Sequence, residues 1–178
     1  MKFSAALPFA LAAAFIVTAR GGETGKLEEA LEPLRPFLGK TWRGEFKDST
    51  PEKPMVDVAR WERALNGKAV RVLHSVTDGV YGGESIIRWD AEQKSIVYHY
   101  FTTAGFTTTG TMTISGGILT SVEKVSGKSE VSEVRSTSEL RPDGTMVSKA
   151  EYLNKAGKAS GGREITYKED AKAEVKWR

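Results

Sequence analysis

The stretch AVRVLHSVTDGVYGGESIIRWD, residues 69–90, contains the pattern that decides the fold. Valines and His74 occupy every second position from 70 to 76. A period of two residues is typical of a β-strand with one buried face. Asp78-Gly79 then supplies a hairpin turn, and residues 81–90 form a second strand-like segment. The stretch therefore predicts a β-hairpin in which His74 faces inward.

The same alternation of strand and turn continues along the chain as far as residue 168. Short segments with period two are separated by turns such as Asn66-Gly67 and Asp143-Gly144. Because consecutive hairpins need no long crossover, we expect an all-β fold, a single up-and-down antiparallel β-barrel of about ten strands. Such a barrel has room for a small ligand where side chains do not fill it. The predicted strands are residues 41–47, 55–65, 69–78, 81–90, 95–103, 106–115, 118–126, 131–140, 146–154 and 163–168.

A short N-terminal helix is expected before the first strand. Leucines recur at helical spacing between positions 27 and 34. Pro33 and Pro36 each lack a backbone donor, so a straight helix should not pass through them. We therefore expect a helix over about residues 25–31 and a tight turn over residues 33–38.

Trp42 begins the first strand in the stretch LGKTWRGEF, residues 38–46. We expect it to plug one end of the barrel, where the N-terminal helix and Phe37 also pack, with an arginine stacked on its ring. This expected role is structural, so the functional candidates lie in the strands further along the chain.

The first residues have the pattern of a secretory signal. Lys2 is followed by an uncharged, mostly apolar run that ends in small residues before Arg20. We expect residues 1–19 to be a signal peptide cleaved after Ala19, and residues 20–178 to form one domain. Since position 20 is not cysteine, no thiol is available for acylation. The expected product is periplasmic or secreted and has no stable membrane anchor.

Charge and cysteine content exclude several classes of function. The 26 basic and 23 acidic residues are interleaved and give a formal net charge of +3, which predicts a mixed surface and no nucleic-acid partner. The absence of cysteine excludes thiol catalysis and thiolate metal sites. The two histidines, His74 and His99, lack the close spacing of a zinc site, so no metal and no cofactor is predicted.

Aromatic and basic strand residues supply the candidate binding site. Small barrels hold amphipathic acids with an aromatic wall around the apolar body and an arginine on the carboxylate. The strand arginines that could take this part are Arg60, Arg88 and Arg135. Alternatively, the aromatic side chains fill the barrel and the arginines lie outside. The residues that we expect to line or gate the pocket are Trp61, His74, Arg88, Tyr98, Tyr100 and Tyr152.

Three functions agree with this pattern. The first is a non-catalytic, exported barrel that binds a small apolar or amphipathic molecule. The second is an enzyme of isomerase or hydratase type that uses His74 as its acid or base. The third is a packed barrel that acts through an apolar outer patch, to which Ile86, Trp89 and Trp177 would contribute.

Several segments resemble the calycin superfamily, which comprises lipocalins, fatty-acid-binding proteins and nitrobindin-like barrels. They are the Gly-Trp opening of the first strand, WERALNGKAVR, IIRWDAEQKSIVYHYF and ELRPDGTMVSKAEY, and the similarity to a bacterial lipocalin-like family spans residues 27–168. The resemblance implies a barrel with a cavity but names no ligand. Gly39 and Trp42 are one residue further apart than in the usual G-x-W motif. Because no histidine follows His99, the haem site of nitrobindin-like proteins does not carry over.

Overall fold

Ten antiparallel strands form the fold. In the computed structural model, which describes residues 25–127 and 130–178, each strand pairs with its neighbours in sequence, and the first and last strands pair to close the barrel. The predicted up-and-down barrel is thus confirmed. The strands are β1 (Lys40–Phe46), β2 (Val56–Ala64), β3 (Ala69–Val76), β4 (Tyr81–Asp90), β5 (Ser95–Thr102), β6 (Thr107–Ser115), β7 (Ile118–Ser126), β8 (Val131–Leu140), β9 (Met146–Asn154) and β10 (Ala159–Glu169).

The N-terminal helix differs from the expectation in type and position. It is a 3-10 helix over Glu29–Phe37 that continues through Pro33 and Pro36. Proline fixes φ near a value that the 3-10 backbone also uses, so both prolines fit without breaking the segment. A second, three-residue 3-10 turn, Leu65–Gly67, joins β2 to β3.

The N-terminal 3-10 helix and Trp42 close one end of the barrel. Trp42 is 1% exposed, and its indole Nε1 donates a hydrogen bond to the Phe37 carbonyl oxygen at 3.3 Å. The Nζ of Lys40 lies 5.4 Å from the centre of the Trp42 ring, so the stacked cation is a lysine and not the expected arginine. The buried cluster at this end includes Leu31, Leu34, Phe37, Trp61, Val70, Ile87, Leu119, Met146 and Ile165.

The C-terminal residues that follow β10 pack on the outside of β3. The backbone N–H of Lys176 donates to Ser75 Oγ at 3.0 Å, and Trp177 Nε1 donates to the His74 carbonyl oxygen at 3.1 Å. This tail therefore supports the backbone of the strand that carries His74.

The expected signal peptide, residues 1–19, and its cleavage site lie outside the described residues. Within residues 25–127 and 130–178, no helix has the length and apolar character needed to cross a membrane.

Candidate functional site

A cavity of about 510 Å³ occupies the barrel interior. Its part nearest the closed end is apolar and is lined by side chains such as Trp61, Val72 and Met112. Further along the strands comes a layer of titratable and hydroxyl side chains, and beyond it apolar side chains such as Val76, Phe106 and Val125 line the cavity again. We call these polar residues the girdle: Asp57, His74, Tyr81, Tyr98, Tyr100, Thr108, Ser121, Glu123, Ser136, Ser138, Ser148, Tyr152, Arg163 and Tyr167.

A continuous chain of hydrogen bonds runs through one side of the girdle. His74 Nδ1 lies 2.8 Å from Asp57 Oδ1, and His74 Nε2 lies 2.7 Å from the hydroxyl of Tyr100. The Tyr100 and Tyr81 hydroxyls are also 2.7 Å apart. At the other end, the Tyr167 hydroxyl donates to Asp57 Oδ2 at 2.5 Å. We call this chain, Tyr167–Asp57–His74–Tyr100–Tyr81, the relay.

Gly83 explains how His74 and Tyr100 meet although a whole strand separates them. Residues two strands apart lie about 9.5 Å from each other across a sheet, which is too far for short side chains to contact. Gly83 lies on β4 opposite His74, and a Cβ there would come within 2.5 Å of the Tyr100 ring. The missing side chain lets the tyrosine lie across β4 and reach the imidazole.

Gly44 makes a second gap of the same kind. It is paired with Tyr167 on one side and with Asp57 on the other. A Cβ on Gly44 would lie 2.4 Å from the ring of Tyr167. This glycine on β1 therefore allows the hydrogen bond between the β10 tyrosine and the β2 carboxylate.

Gly110 makes the third gap, on β6, between Tyr98 and Glu123. A Cβ on Gly110 would lie 2.9 Å from the Cβ of Glu123. Tyr98 and Glu123 face each other across this gap, and the Glu123 carboxylate accepts a hydrogen bond from Thr108. Strand-interior glycines mark places where other atoms approach closely, and here the atoms belong to paired polar side chains.

Hydroxyl pairs and an arginine complete the girdle. Ser121 Oγ lies 2.6 Å from Ser136 Oγ, and Ser138 donates to Ser148 at 3.1 Å. On β10, Arg163 Nη1 donates to the Tyr152 hydroxyl at 3.1 Å. The Arg163 side chain borders the open part of the cavity, so solvent reaches it although the barrel wall surrounds it. Among the described residues, it is the one arginine that lines the cavity.

Burial controls the protonation of the girdle. It raises the pKa of the Tyr81, Tyr98, Tyr100 and Tyr167 hydroxyls above the ordinary tyrosine value, so all four keep their protons at neutral pH. Burial also raises the pKa of the Glu123 carboxyl, although Thr108 and Arg163 act in the opposite direction. Arg163 keeps its charge throughout the physiological pH range.

The structure brings most of the predicted site residues together. His74, Tyr98, Tyr100 and Tyr152 belong to the girdle, and Trp61 lines the apolar part of the cavity. Whether these residues contact a ligand stays a prediction.

The prediction that Arg88 lines the pocket is wrong. Its side chain lies on the outer face of β4, where it forms an ion pair with Asp90 at 3.0 Å. The alternation explains this placement, because Ile87 faces the cavity and its neighbour in the strand must then face outward. Arg60 and Arg135 likewise form ion pairs on the outside, with Glu62 and Glu133.

Sequence reasoning missed Arg163 and Glu123 as candidates for the site, and it left Tyr81, one of the strand aromatic residues, out of the set expected to line the pocket. Arg163 stood at the first residue of the predicted last strand, whereas β10 begins four residues earlier, at Ala159. The inward glycines were the available signal, because Gly110 pairs directly with Glu123. No group of three or more metal-ligating side chains is found within residues 25–127 and 130–178.

Comparisons with known proteins agree with the fold. No protein-family model matches the chain, and no curated protein matches its sequence. Among solved structures, the crystal structure of Rv2717c from M. tuberculosis is similar, with a TM-score of 0.60 and 14% sequence identity. The match covers 82% of this chain and 99% of that chain. At this identity the likeness concerns the barrel fold alone.

Proposed function

We propose that this protein is an exported, calycin-like barrel that binds one small amphipathic anion in its cavity. The observation that carries the proposal is Arg163, whose guanidinium borders a cavity with an apolar inner end. An amphipathic anion would place its apolar body against the inner wall and its charged group on the arginine. A guanidinium binds carboxylate and similar oxyanions with paired, charge-assisted hydrogen bonds.

The charges around Arg163 leave it available to an external anion. Its one hydrogen bond to a side chain among the described residues is with the hydroxyl of Tyr152, which is not a carboxylate. Asp57 is already engaged by Tyr167 and His74. Burial raises the pKa of the Glu123 carboxyl, so at a given pH it carries less competing negative charge than a solvated glutamate does.

The size and lining of the cavity agree with a ligand of this kind. Pockets for small molecules have volumes of roughly 300–1,000 Å³ and are mostly apolar, with a few well-placed polar groups. The present cavity, at about 510 Å³, falls within that range. It joins apolar walls to one permanently charged group.

The experiment uses two fluorescent probes that share an apolar body. Anilinonaphthalene sulfonate carries a permanent negative charge, and phenylnaphthylamine carries none. We expect the wild-type protein to bind both. In Arg163→Met, the sulfonate should bind about tenfold to a hundredfold more weakly, as expected for one lost charge-assisted contact, while binding of the neutral probe should stay unchanged.

Arg88→Met is the matched control, because it removes an arginine from the outer face of the same barrel. It should change the affinity for neither probe. Equal weakening of both probes in Arg163→Met would mean that the arginine only maintains the shape of the cavity. Failure of the wild-type protein to bind either probe would contradict the proposed function.

An acid–base enzyme is the second candidate function. The observation that favours it is the contact between Asp57 and His74, since a carboxylate on one imidazole nitrogen fixes the orientation of the ring. His74 is then the acid or base that acts on an isomerisable or hydratable ligand. Full turnover of an identified substrate by His74→Ala would eliminate this assignment.

Export is also part of the proposal, and it follows from the pattern of residues 1–19. The N-terminus of protein recovered from the producing cells should begin at Arg20. A chain that retains Met1 would contradict export by a cleaved signal.

A further inference from the structure

The relay ends at the hydroxyl of Tyr81. The Tyr100 hydroxyl has two partners, His74 Nε2 and the Tyr81 hydroxyl. Within the described chain, the Tyr81 hydroxyl is bonded to Tyr100 alone, and its side chain lines the cavity. A phenol can both donate one hydrogen bond and accept another. The second position on Tyr81 is therefore available to a ligand.

The direction of every hydrogen bond in the relay depends on one proton. With Asp57 ionised, both of its oxygens accept, so His74 Nδ1 donates to it. If His74 is neutral, its Nε2 has no proton and must accept from Tyr100, which in turn accepts from Tyr81. In this state the Tyr81 oxygen offers only lone pairs to the cavity.

Protonation of His74 reverses this direction. Its Nε2–H then donates to the Tyr100 oxygen, Tyr100 donates to Tyr81, and the Tyr81 O–H points to the cavity. The change needs one added proton. This proton binds the Tyr81 oxygen, the former Tyr81 proton moves to the Tyr100 oxygen, and the former Tyr100 proton moves to His74 Nε2. No other bond forms or breaks.

We propose that the Tyr81 hydroxyl is a binding subsite for an anionic oxygen of the ligand, and that binding there takes up one proton at His74. This proposal rests on the proposed function, since it assumes an anionic ligand in the cavity. An anion accepts hydrogen bonds but donates none, so it favours the state in which Tyr81 donates. The imidazolium also adds a positive charge on the same side of the cavity.

The groups around the relay agree with this coupling. A proton on His74 adds one positive charge to the girdle, whose other charged groups are Asp57, Glu123 and Arg163. Tyr81 and Arg163 line the same cavity, so one ligand in it can present its anionic group to both. The titratable and charged groups that face His74 and Tyr81 are Asp57 on β2, Tyr100 on β5, Glu123 on β7, Tyr152 on β9, and Arg163 and Tyr167 on β10.

Calorimetric titration with anilinonaphthalene sulfonate tests the proposal. The sulfonate stays ionised from about pH 5 to about pH 8, where histidine titrates, so any pH dependence belongs to the protein. Paired measurements in two buffers with different ionisation heats count the protons taken up. We expect uptake of up to one proton, and a dissociation constant that rises with pH by up to tenfold per unit within this range.

Two variants assign the effect to the relay. His74→Gln should abolish the proton uptake, and Tyr81→Phe should reduce it while weakening sulfonate binding roughly three- to tenfold, the effect of one lost hydrogen bond. His99→Gln, which removes the other histidine from the exposed face of β5, should leave the uptake unchanged.

The outcomes separate this proposal from the proposed function. Sulfonate binding without proton uptake, or uptake that persists in His74→Gln, would overturn the relay coupling and leave anion binding in place. A wild-type protein that binds no sulfonate at any pH would overturn the proposed function, and the coupling with it.

Discussion

The closed end of the barrel and the girdle contrast within a single sheet. At the closed end, large apolar side chains surround Trp42, and its one polar atom is bonded to the Phe37 carbonyl oxygen. The girdle, two to four residues further along the same strands, holds Asp57, His74, Glu123 and Arg163 inside the barrel. Burial of apolar area stabilises the fold, whereas removing charged groups from water opposes it.

This difference shows how one small barrel combines stability and chemistry. The apolar cluster lies where the N-terminal 3-10 helix covers the strand ends. Further from this end lie the cavity and the charged and hydroxyl side chains of the girdle. Apolar residues in their place would make the fold more stable. We therefore expect substitutions at the closed end to change mainly the free energy of unfolding, and substitutions in the girdle to change ligand binding and proton uptake as well.

The largest effect on stability is expected at the closed end, from Trp42→Ala. The side chain is 1% exposed, and its removal leaves a cavity and an unpaired Phe37 carbonyl oxygen. Truncation of a buried Trp or Phe costs about 3–5 kcal/mol. Urea denaturation should show this loss as a lower midpoint. Sulfonate binding by the folded fraction should change little.

Trp177→Ala makes the same chemical change at a half-exposed position in the C-terminal tail. It should cost much less free energy of unfolding, because much of that side chain is already in water. Equal costs for the two substitutions would refute the view that the closed end is the main source of stability.

The sequence pattern was sufficient for the closed end because its signals are local. Period two, turn residues and a tryptophan at the start of β1 are each readable over a few positions. Helix type was the exception, since Pro33 and Pro36 predict a break only for an α-helix, and the 3-10 backbone accommodates both.

The girdle could be predicted only in part, because several of its hydrogen bonds join residues on strands that are not direct neighbours. His74 and Tyr98 were found from alternation and aromatic content, but the partners of His74 depend on which strands neighbour each other and in what register. Arg88 was misplaced for a related reason. The side chain of an arginine between apolar residues can point into the barrel or out of it. Which of the two holds is known only once it is known which residues of that strand point inward.

Gly83→Ala should have the next largest effect, and it acts on the girdle. The new Cβ would lie 2.1 Å from the Phe101 carbonyl oxygen and 2.5 Å from the Tyr100 ring, so the ring must move away from His74. Overpacking of this kind costs about 1–3 kcal/mol. Urea denaturation measures the loss, and the proton uptake on sulfonate binding should decrease with it.

Tyr100→Phe provides the comparison, since it removes the hydroxyl and keeps the ring. If Gly83→Ala acts by breaking the relay, the double variant should cost less than the sum of the single variants, because the same hydrogen bonds are lost only once. Strict additivity would show that the glycine serves the strand backbone and not the relay.

The smallest effect, and one of opposite sign, is expected from Glu123→Gln. Burial raises the pKa of this carboxyl above its ordinary value of 4.5, so the folded state holds its proton more tightly than the unfolded state does. Wild-type stability should therefore fall as the pH rises from 4.5 through the raised value. At pH 7 the glutamine variant should be more stable by roughly 0.5–2 kcal/mol, and the free energies of unfolding of the two proteins should become equal in acid.

Glu133 on the outer face is the matched control, because hydrogen bonds from Lys124 and Arg135 lower its pKa. Glu133→Gln should therefore not stabilise the protein at neutral pH. If Glu123→Gln were instead less stable than the wild-type protein at neutral pH, the charge of Glu123 would stabilise the fold. The girdle would then not oppose stability at this position, and the contrast with the closed end would be wrong there.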